Sequence, residues 1–252
     1  MTDVDAAGPQ TDSPIGRVVA GRIRDRLERR TEDMALLLSQ LVRVESGSDD
    51  PAGLNRMADL LLELFRDHGS VERHRIGPGG TSHLVLSVPG GGRHRRHLAV
   101  LGHYDTVWPA GSLERMPVHV DGSGRLHGPG SFDMKGGLVQ LYYALTELRA
   151  AGLPPRRPLQ ILFSCDEEVR SRTSRPLISA IAQDAAAALV LESPLPGGGL
   201  KTARKGTDIY RVDVEGKAAH AGIEPDKGAS AILEITHQVQ ALHQLKARQI
   251  QK

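Results

Sequence analysis

Acidic side chains and one histidine follow three apolar segments of this sequence. They are His103 and Asp105 after HLAVLG, Asp166, Glu167 and Glu168 after LQILFSC, and Glu192 after AAALVL; Asp133 follows a glycine-rich stretch. If these carboxylates meet, their charges repel one another unless a cation lies between them. An imidazole nitrogen together with several carboxylate oxygens favours zinc over calcium or magnesium. The residue types therefore predict a zinc site.

The elements that must bring these residues together are apolar strands that alternate with helices. The hydrophobic periodicity predicts helices over 15–44, 54–67, 135–151 and 174–182, and strands over 71–76, 83–88, 97–102, 159–164 and 187–191. This order is typical of an α/β fold with a largely parallel sheet. In such sheets ligands bind outside the carboxyl ends of the strands, which is where the acidic residues stand.

The proline- and glycine-rich segment 193–199 marks a domain boundary. We expect a catalytic domain over 15–198 and part of a second domain over 199–252. The second domain is predicted to contain a strand over 208–215 and a helix over 228–246. Residues 1–14 are polar and have no apolar core, which indicates a disordered leader instead of a secretion signal.

The composition excludes several classes of protein. A single cysteine among 252 residues rules out a disulfide framework and every cysteine-rich zinc module. The formal charge of +2 gives no sign of a nucleic-acid or membrane partner. No apolar run is long enough to span a membrane, and we expect a cytoplasmic protein. The basic cluster 93–97 is interpreted as a solvated hairpin tip and not as an anion site.

Other catalytic chemistries lack their usual motifs. The sequence has no G-x-S-x-G elbow, no phosphate-binding G-x-x-x-x-G-K-[ST] loop, no G-x-G-x-x-G fingerprint and no H-E-x-x-H helix. Cys165 lies at the end of a predicted buried strand and is assigned to the core instead of to a nucleophile. A histidine or an acidic run taken alone is usually structural, but four such coincidences at strand or loop ends favour a site.

Five strings, in this order, resemble the zinc-dependent aminoacylase, deacylase and glutamate-carboxypeptidase family. They are LGHYDTVWP, GPGSFDMKGG, SCDEEVRS, LVLESP and VEGKAAHAGIEPDKGASAI. The family includes acetylornithine deacetylase, succinyl-diaminopimelate desuccinylase and carboxypeptidase G, and the resemblance runs from about residue 30 to 245. It implies a zinc-exopeptidase-like α/β/α catalytic domain with a mostly parallel, mixed sheet. It also implies an α+β dimerisation (lid) domain, incomplete here.

The resemblance implies a role for each matching position at the metal. His103 and Glu192 would bind one Zn²⁺, Asp133 would bridge two ions, and Glu168 would bind the second. Asp105 would hold the His103 ring in the correct orientation.

The resemblance also implies an amide hydrolase acting on an N-acyl amino acid or a short peptide with a free carboxylate. Glu167 would be the general base that activates the attacking water. The chain would form a homodimer, and His220 would stabilise the oxyanion in the neighbouring subunit.

Two departures from the family pattern affect these expectations. Arg170 and Thr173 stand where the family frequently has glycine, which predicts an altered turn after the acidic run. The family's last zinc-binding histidine would lie beyond Lys252, so we expect one complete zinc site and a second that lacks a histidine. The alternative is a catalytically impaired fragment, or a non-enzymatic metal-binding or dimerisation module of the same family.

Overall fold

The chain divides into two compact units, Met1–Gly199 and Leu200–Lys252. The computed structural model describes residues 14–77, 80–204, 206 and 209–250. Its helices are α1 (Pro14–Glu28), α2 (Thr31–Arg43), α3 (Pro51–Phe65), α4 (Ser112–Arg115), α5 (Gly136–Ala150), α6 (Arg175–Gln183) and α7 (Ala231–Ile250). Its strands are β1 (Ser70–Ile76), β2 (Thr81–Val88), β3 (Leu98–His103), β4 (His119–Val120), β5 (Leu126–His127), β6 (Leu159–Ser164) and β7 (Ala187–Val190). No helix among these residues combines the length and apolar character needed to cross a membrane.

The first unit is built on a five-stranded sheet in the order β1-β2-β6-β3-β7. Strand β3 pairs in parallel with β6 and with β7, whereas β2 is antiparallel to both of its neighbours. Four of the five strands therefore point in one direction, which confirms the predicted mostly parallel, mixed sheet. The carboxyl ends of β3, β6 and β7 lie at the same edge.

Helices cover both faces of this sheet. Successive side chains of a strand point to opposite faces, so the apolar strands present apolar side chains on both. On one face the core joins Leu84, Leu86, Val100, Ile161 and Phe163 to apolar residues of α2, α3 and α5. On the other face Val85, Ala99 and Leu162 pack with Ile181 of α6. The two cores make the α/β/α arrangement that was expected.

The single helix predicted over 15–44 is wrong, because the chain turns between α1 and α2. Arg30 has φ −100° and ψ 9°, and the Thr31 hydroxyl donates to the Glu28 carbonyl at 2.7 Å. The turn lets Arg26 Nε and Arg30 Nη1 both reach the Glu147 carboxylate, at 2.5 and 3.3 Å. Glu147 is buried, and losing its cations would leave an uncompensated charge in the protein. Local periodicity cannot predict an ion pair with a residue so distant in sequence.

The strand predicted over 208–215 is also wrong for the residues that can be compared. Asp208 lies outside the described residues, and 209–215 adopt no strand. In the described part of the second unit the chain forms an isolated bridge between Lys217 and Ala229, and then α7. An apolar alternation forms a strand only where a neighbouring strand pairs with it.

The turn between β6 and α6 holds two non-glycine residues in left-handed conformations. Arg170 has φ +76° and Ser171 has φ +49°. The turn closes on Asp166, whose Oδ2 accepts hydrogen bonds from the Thr173 amide at 2.6 Å and the Thr173 hydroxyl at 2.7 Å. Arg170 thus adopts a backbone conformation that glycine adopts without steric cost.

Arg170→Gly is expected to raise the free energy of unfolding by about 1 kcal/mol, because glycine adopts positive φ without the steric cost that a Cβ imposes. Denaturation in urea at neutral pH measures the change. The matched control is Arg172→Gly in the same turn, where φ is not positive. There the added backbone freedom should destabilise the protein. Equal effects of the two substitutions would contradict the assignment of strain to Arg170.

Candidate active site

The carboxyl edge of the sheet brings five of the predicted site residues together. His103 is the last residue of β3 and pairs with Ser164 at the end of β6. Glu167 and Glu168 follow β6, and Glu192 follows β7. Asp133 comes from a tight turn at 131–135, directly before α5.

Two glycines allow the turn that carries Asp133 to approach the sheet. A Cβ on Gly137 would lie 2.2 Å from the Leu191 carbonyl oxygen, so only glycine lets α5 begin against the end of β7. A Cβ on Gly102 would lie 3.1 Å from the Met134 side chain. This close packing places the Asp133 turn beside the segment that carries Glu192.

Three carboxylates surround the Nε2 atom of His103. The distances are 3.1 Å to Asp133 Oδ1, 3.3 Å to Glu192 Oε1 and 3.9 Å to Glu167 Oε2. Two groups of three residues could each hold a metal ion. One is His103 with Glu167 and Glu192, and the other is His103 with Asp133 and Glu168. Within each group the donor atoms lie within 4.8 Å of one another. The imidazole is buried, whereas the Asp133 side chain is 60% exposed, so the donors face solvent on one side.

Asp105 lies beneath this cluster and connects its parts. Its buried carboxylate accepts the backbone N–H groups of Glu167 and Glu168, both at 3.1 Å. His103 Nδ1 lies 2.9 Å from the Asp105 carbonyl oxygen and 3.4 Å from its carboxylate. A proton on Nδ1 would satisfy these acceptors and turn the Nε2 lone pair toward the acids. Asp105 thus orients the histidine and the acidic run at once.

A serine-containing loop before α3 also supports the site, and the sequence analysis missed it. Ser48 Oγ donates to Asp105 Oδ2 at 2.8 Å, and Ser46 Oγ donates to the Tyr104 carbonyl at 2.6 Å. Backbone bonds join the loop to Thr106 in both directions, at 2.9 and 3.1 Å. The local sequence predicts only a break between two helices at this loop. Serines are common in turns, so their presence does not indicate that they support a site.

Asp166 and Cys165 contact residues outside the cluster: Asp166 Oδ2 accepts from Thr173, and the Cys165 Sγ lies 3.6 Å from His83 Nδ1. Asp166 is engaged by the turn that precedes α6, as described above, and gives the metal group no donor among the described residues. The Cys165 thiol is buried, and burial raises its pKa to about 11. A thiol that stays protonated is a poor nucleophile, which agrees with its assignment to the core.

The electrostatics of the cluster fit a divalent cation. Burial lowers the pKa of His103, but hydrogen bonds to Asp105 and Glu192 outweigh it and raise the pKa to about 11. Burial, together with neighbouring carboxylates, raises the pKa of both Glu167 and Glu168. The acids therefore attract positive charge, and a cation would relieve their mutual repulsion. One imidazole nitrogen and four carboxylates form a donor set suited to zinc.

His220 belongs to the second unit, where it lies in an exposed turn. Its Nδ1 accepts the Gly222 backbone N–H at 3.2 Å. Nothing in this local geometry assigns it a chemical role, and its predicted function stays a prediction.

Comparison with known proteins adds to this geometry. The sequence profile described as Peptidase family M20/M25/M40 matches residues 99–250. The chain is 32% identical over 200 residues to carboxypeptidase G2 of Pseudomonas sp. (strain RS-16), which covers 78% of this chain and 48% of that protein. It is 31% identical over 211 residues to a probable succinyl-diaminopimelate desuccinylase of Staphylococcus aureus (strain Mu50 / ATCC 700699), covering 80% and 50%. The chain spans about half the length of these relatives.

The fold is also that of a solved peptidase. The crystal structure of aminopeptidase PepT from Bacillus cereus ATCC 10987 superposes with a TM-score of 0.60 at 21% sequence identity. The superposition covers 80% of this chain and 54% of the other. At this level of identity the match concerns the fold alone.

Proposed function

Because the chain belongs to peptidase family M20/M25/M40, we propose that it is a metal-dependent hydrolase of amide bonds. The substrate is an N-acyl amino acid or a short peptide of the C-terminal glutamate type, with a free carboxylate beside the scissile bond. The observation that carries the proposal is the convergence of the His103 imidazole and four carboxylates at one sheet edge. Relatives named as a carboxypeptidase and a desuccinylase support the reaction class.

His103, Asp133, Glu168 and Glu192 are the proposed ligands, and Zn²⁺ is the proposed ion. A bound zinc ion supplies a Lewis acid that polarises the scissile carbonyl and makes water more acidic. Asp105 contributes by fixing the His103 ring and the backbone of the acidic run, so that the ligands need little rearrangement.

Glu167 is the proposed general base. Its side chain is 48% exposed and faces the same cluster, so one carboxylate oxygen can reach a water beside the ligands. Glu167 takes a proton from this water while the oxygen of the water attacks the carbonyl carbon of the substrate. The same carboxyl group then returns the proton to the amide nitrogen, and the C–N bond breaks. Burial, the largest influence, raises the pKa of Glu167, which makes its carboxylate a stronger base.

A homodimer is part of the proposal, with His220 stabilising the oxyanion in the neighbouring subunit. Exposed apolar side chains along α7 support an interface on the second unit. They are Ile232, Leu233, Val239, Leu242 and Leu245.

The test begins with protein stripped of metal by a chelator. Its activity is measured on N-acyl amino acids and glutamyl peptides, and on the same compounds with the carboxylate amidated. We expect hydrolysis to require added Zn²⁺, to stop again with chelator, and to be slower on the amidated compounds. Light scattering of the same preparation should give the mass of a dimer, and a monomeric mass would remove the role proposed for His220.

The contrary result is a protein that binds zinc and cleaves none of these substrates faster than buffer does. That outcome would favour a metal-binding module over an enzyme. Hydrolysis that survives complete removal of metal would also contradict the proposal.

A further inference from the structure

Five arginines come together at the sheet edge opposite the candidate active site. The loop 89–97 leads into β3, and the loop 152–158 leads into β6. The hairpin tip predicted over 93–97 is wrong, because β6 lies between β2 and β3 in the sheet. Strands β3 and β6 are parallel and carry site residues at or beyond their carboxyl ends, so the loops before them lie at the other edge. The arginines are Arg93, Arg95, Arg96, Arg156 and Arg157, and we call them the arginine surface.

Hydrogen bonds hold the two loops side by side. The Gly91 N–H donates to the Pro155 carbonyl at 2.8 Å, and the Gly92 N–H donates to the Arg156 carbonyl at 3.0 Å. Arg157 Nη1 donates to the Arg96 carbonyl at 3.1 Å. A Cβ on Gly92 would lie 2.5 Å from the Arg156 carbonyl oxygen, so the close approach requires glycine. Arginines separated by about 60 residues in sequence therefore share one surface.

The charge of this surface is concentrated. Neither loop contains an aspartate or a glutamate. Beside the loops, Asp67 lines a cavity together with Pro89 and residues 152–155. The Arg96 guanidinium donates to the backbone carbonyls of Asp184 at 3.4 Å and Ala185 at 2.5 Å. Arg93, Arg95 and Arg156 are exposed. The formal charge of +2 is a sum over the whole chain and gives no sign of this patch.

We propose that the arginine surface binds a linear chain of phosphate groups of the inorganic polyphosphate type. Guanidinium groups bind phosphate oxygens in a bidentate manner, and several in one surface can follow consecutive phosphates. Neither loop contains a phenylalanine, tyrosine or tryptophan on which a nucleic-acid base could stack. Of the two histidine rings, that of His97 is engaged by the Ile181 carbonyl through Nε2 at 2.8 Å, so His94 is the one ring in these loops that could stack on a base. Their one large exposed apolar side chain is Leu153, too little to insert into a membrane.

The test is a titration of the metal-free full chain with end-labelled inorganic polyphosphate, followed by fluorescence anisotropy. A chelator is present throughout, so that phosphate cannot bind through a metal at the candidate active site. We expect binding that weakens with salt between about 50 and 200 mM, as counterion release requires. The triple variant Arg93→Gln/Arg95→Gln/Arg156→Gln should bind at least about tenfold more weakly. Its slope of log affinity against log salt should fall by about 2, at roughly 0.7 per lost phosphate contact.

The control changes the same charge elsewhere, on exposed arginines of α1, its following turn and β1: Arg22→Gln/Arg29→Gln/Arg75→Gln. It should change the affinity by less than about twofold. Equal losses in the two triple variants would show attraction by bulk charge and overturn the proposal, as would no binding at the lowest salt. A single-stranded oligonucleotide with the same number of phosphates should bind no more tightly. Markedly tighter binding to the oligonucleotide or to anionic vesicles would overturn the proposed ligand class.

Discussion

Glu167→Gln should lower kcat for amide hydrolysis by a factor of about 10² to 10⁴ and leave the zinc content unchanged. The amide keeps the size of the side chain and cannot accept a proton from the attacking water. The Glu167 backbone N–H would still bind Asp105, so the loop should keep its position. The measurement compares kcat for the two proteins at equal bound zinc, determined by atomic absorption.

Glu168→Gln is the matched control, because Glu168 is the next residue and its N–H binds the same carboxylate. Its side chain belongs to the donor group with His103 and Asp133, so this variant should lose zinc affinity first. Glu167 belongs to the other donor group, with His103 and Glu192. Loss of zinc in Glu167→Gln would therefore identify Glu167 as a ligand and remove its role as base. Full turnover in the zinc-loaded variant would remove any catalytic role.

The sheet could be predicted closely because parallel, doubly covered strands are continuous apolar runs. The segment LQILFS forms β6 over the predicted residues, and the edges of the neighbouring strands differ from the prediction by one or two residues. The same runs indicate where the site lies, because chemistry-bearing residues follow the strands and parallel strands end at one edge. His103 and Glu192 could thus be placed together before any coordinates were known.

What could not be predicted depends on partners far apart in sequence. The break between α1 and α2 allows two arginines to pair with Glu147 on α5. The two loops that carry the arginine surface are joined by backbone hydrogen bonds between residues 91–92 and 155–156. Ser48 reaches Asp105 across 57 positions. Periodicity describes which face of an element is apolar, and it carries no information about which polar group a distant turn will meet.

The second unit shows a different reason for failure. Residues 209–215 have the composition of a strand, and in the described structure they pair with no neighbouring strand. β-propensity expresses how well a side chain fits a pleated, half-buried surface, so it decides little where that surface is absent. The helix predicted over 228–246 needs no such partner for its hydrogen bonds, and it is found as α7 over Ala231–Ile250.

Asp105→Asn should reduce both stability and zinc affinity, although Asp105 is not a proposed ligand. One oxygen of its carboxylate accepts the Glu167 N–H, and the other accepts the Glu168 N–H and the Ser48 hydroxyl. An asparagine turns one of these positions into a donor that faces donors. Because the group is fully buried, the unsatisfied N–H groups should cost about 1 to 3 kcal/mol in the free energy of unfolding.

Zinc affinity should fall by about 10- to 100-fold in the same variant, because the residues that orient metal ligands carry this much of the binding. Urea denaturation of the metal-free protein and competition with a chelating indicator measure the two effects separately. Ser48→Ala removes one hydrogen bond to the same carboxylate and should give a smaller loss of both. Asp121→Asn is the matched control, since Asp121 Oδ1 also accepts the N–H groups of Ser123 and Arg125, but in an exposed turn. It should leave zinc affinity unchanged; an equal loss of zinc in Asp121→Asn, or none in Asp105→Asn, would show that the buried carboxylate does not position the site.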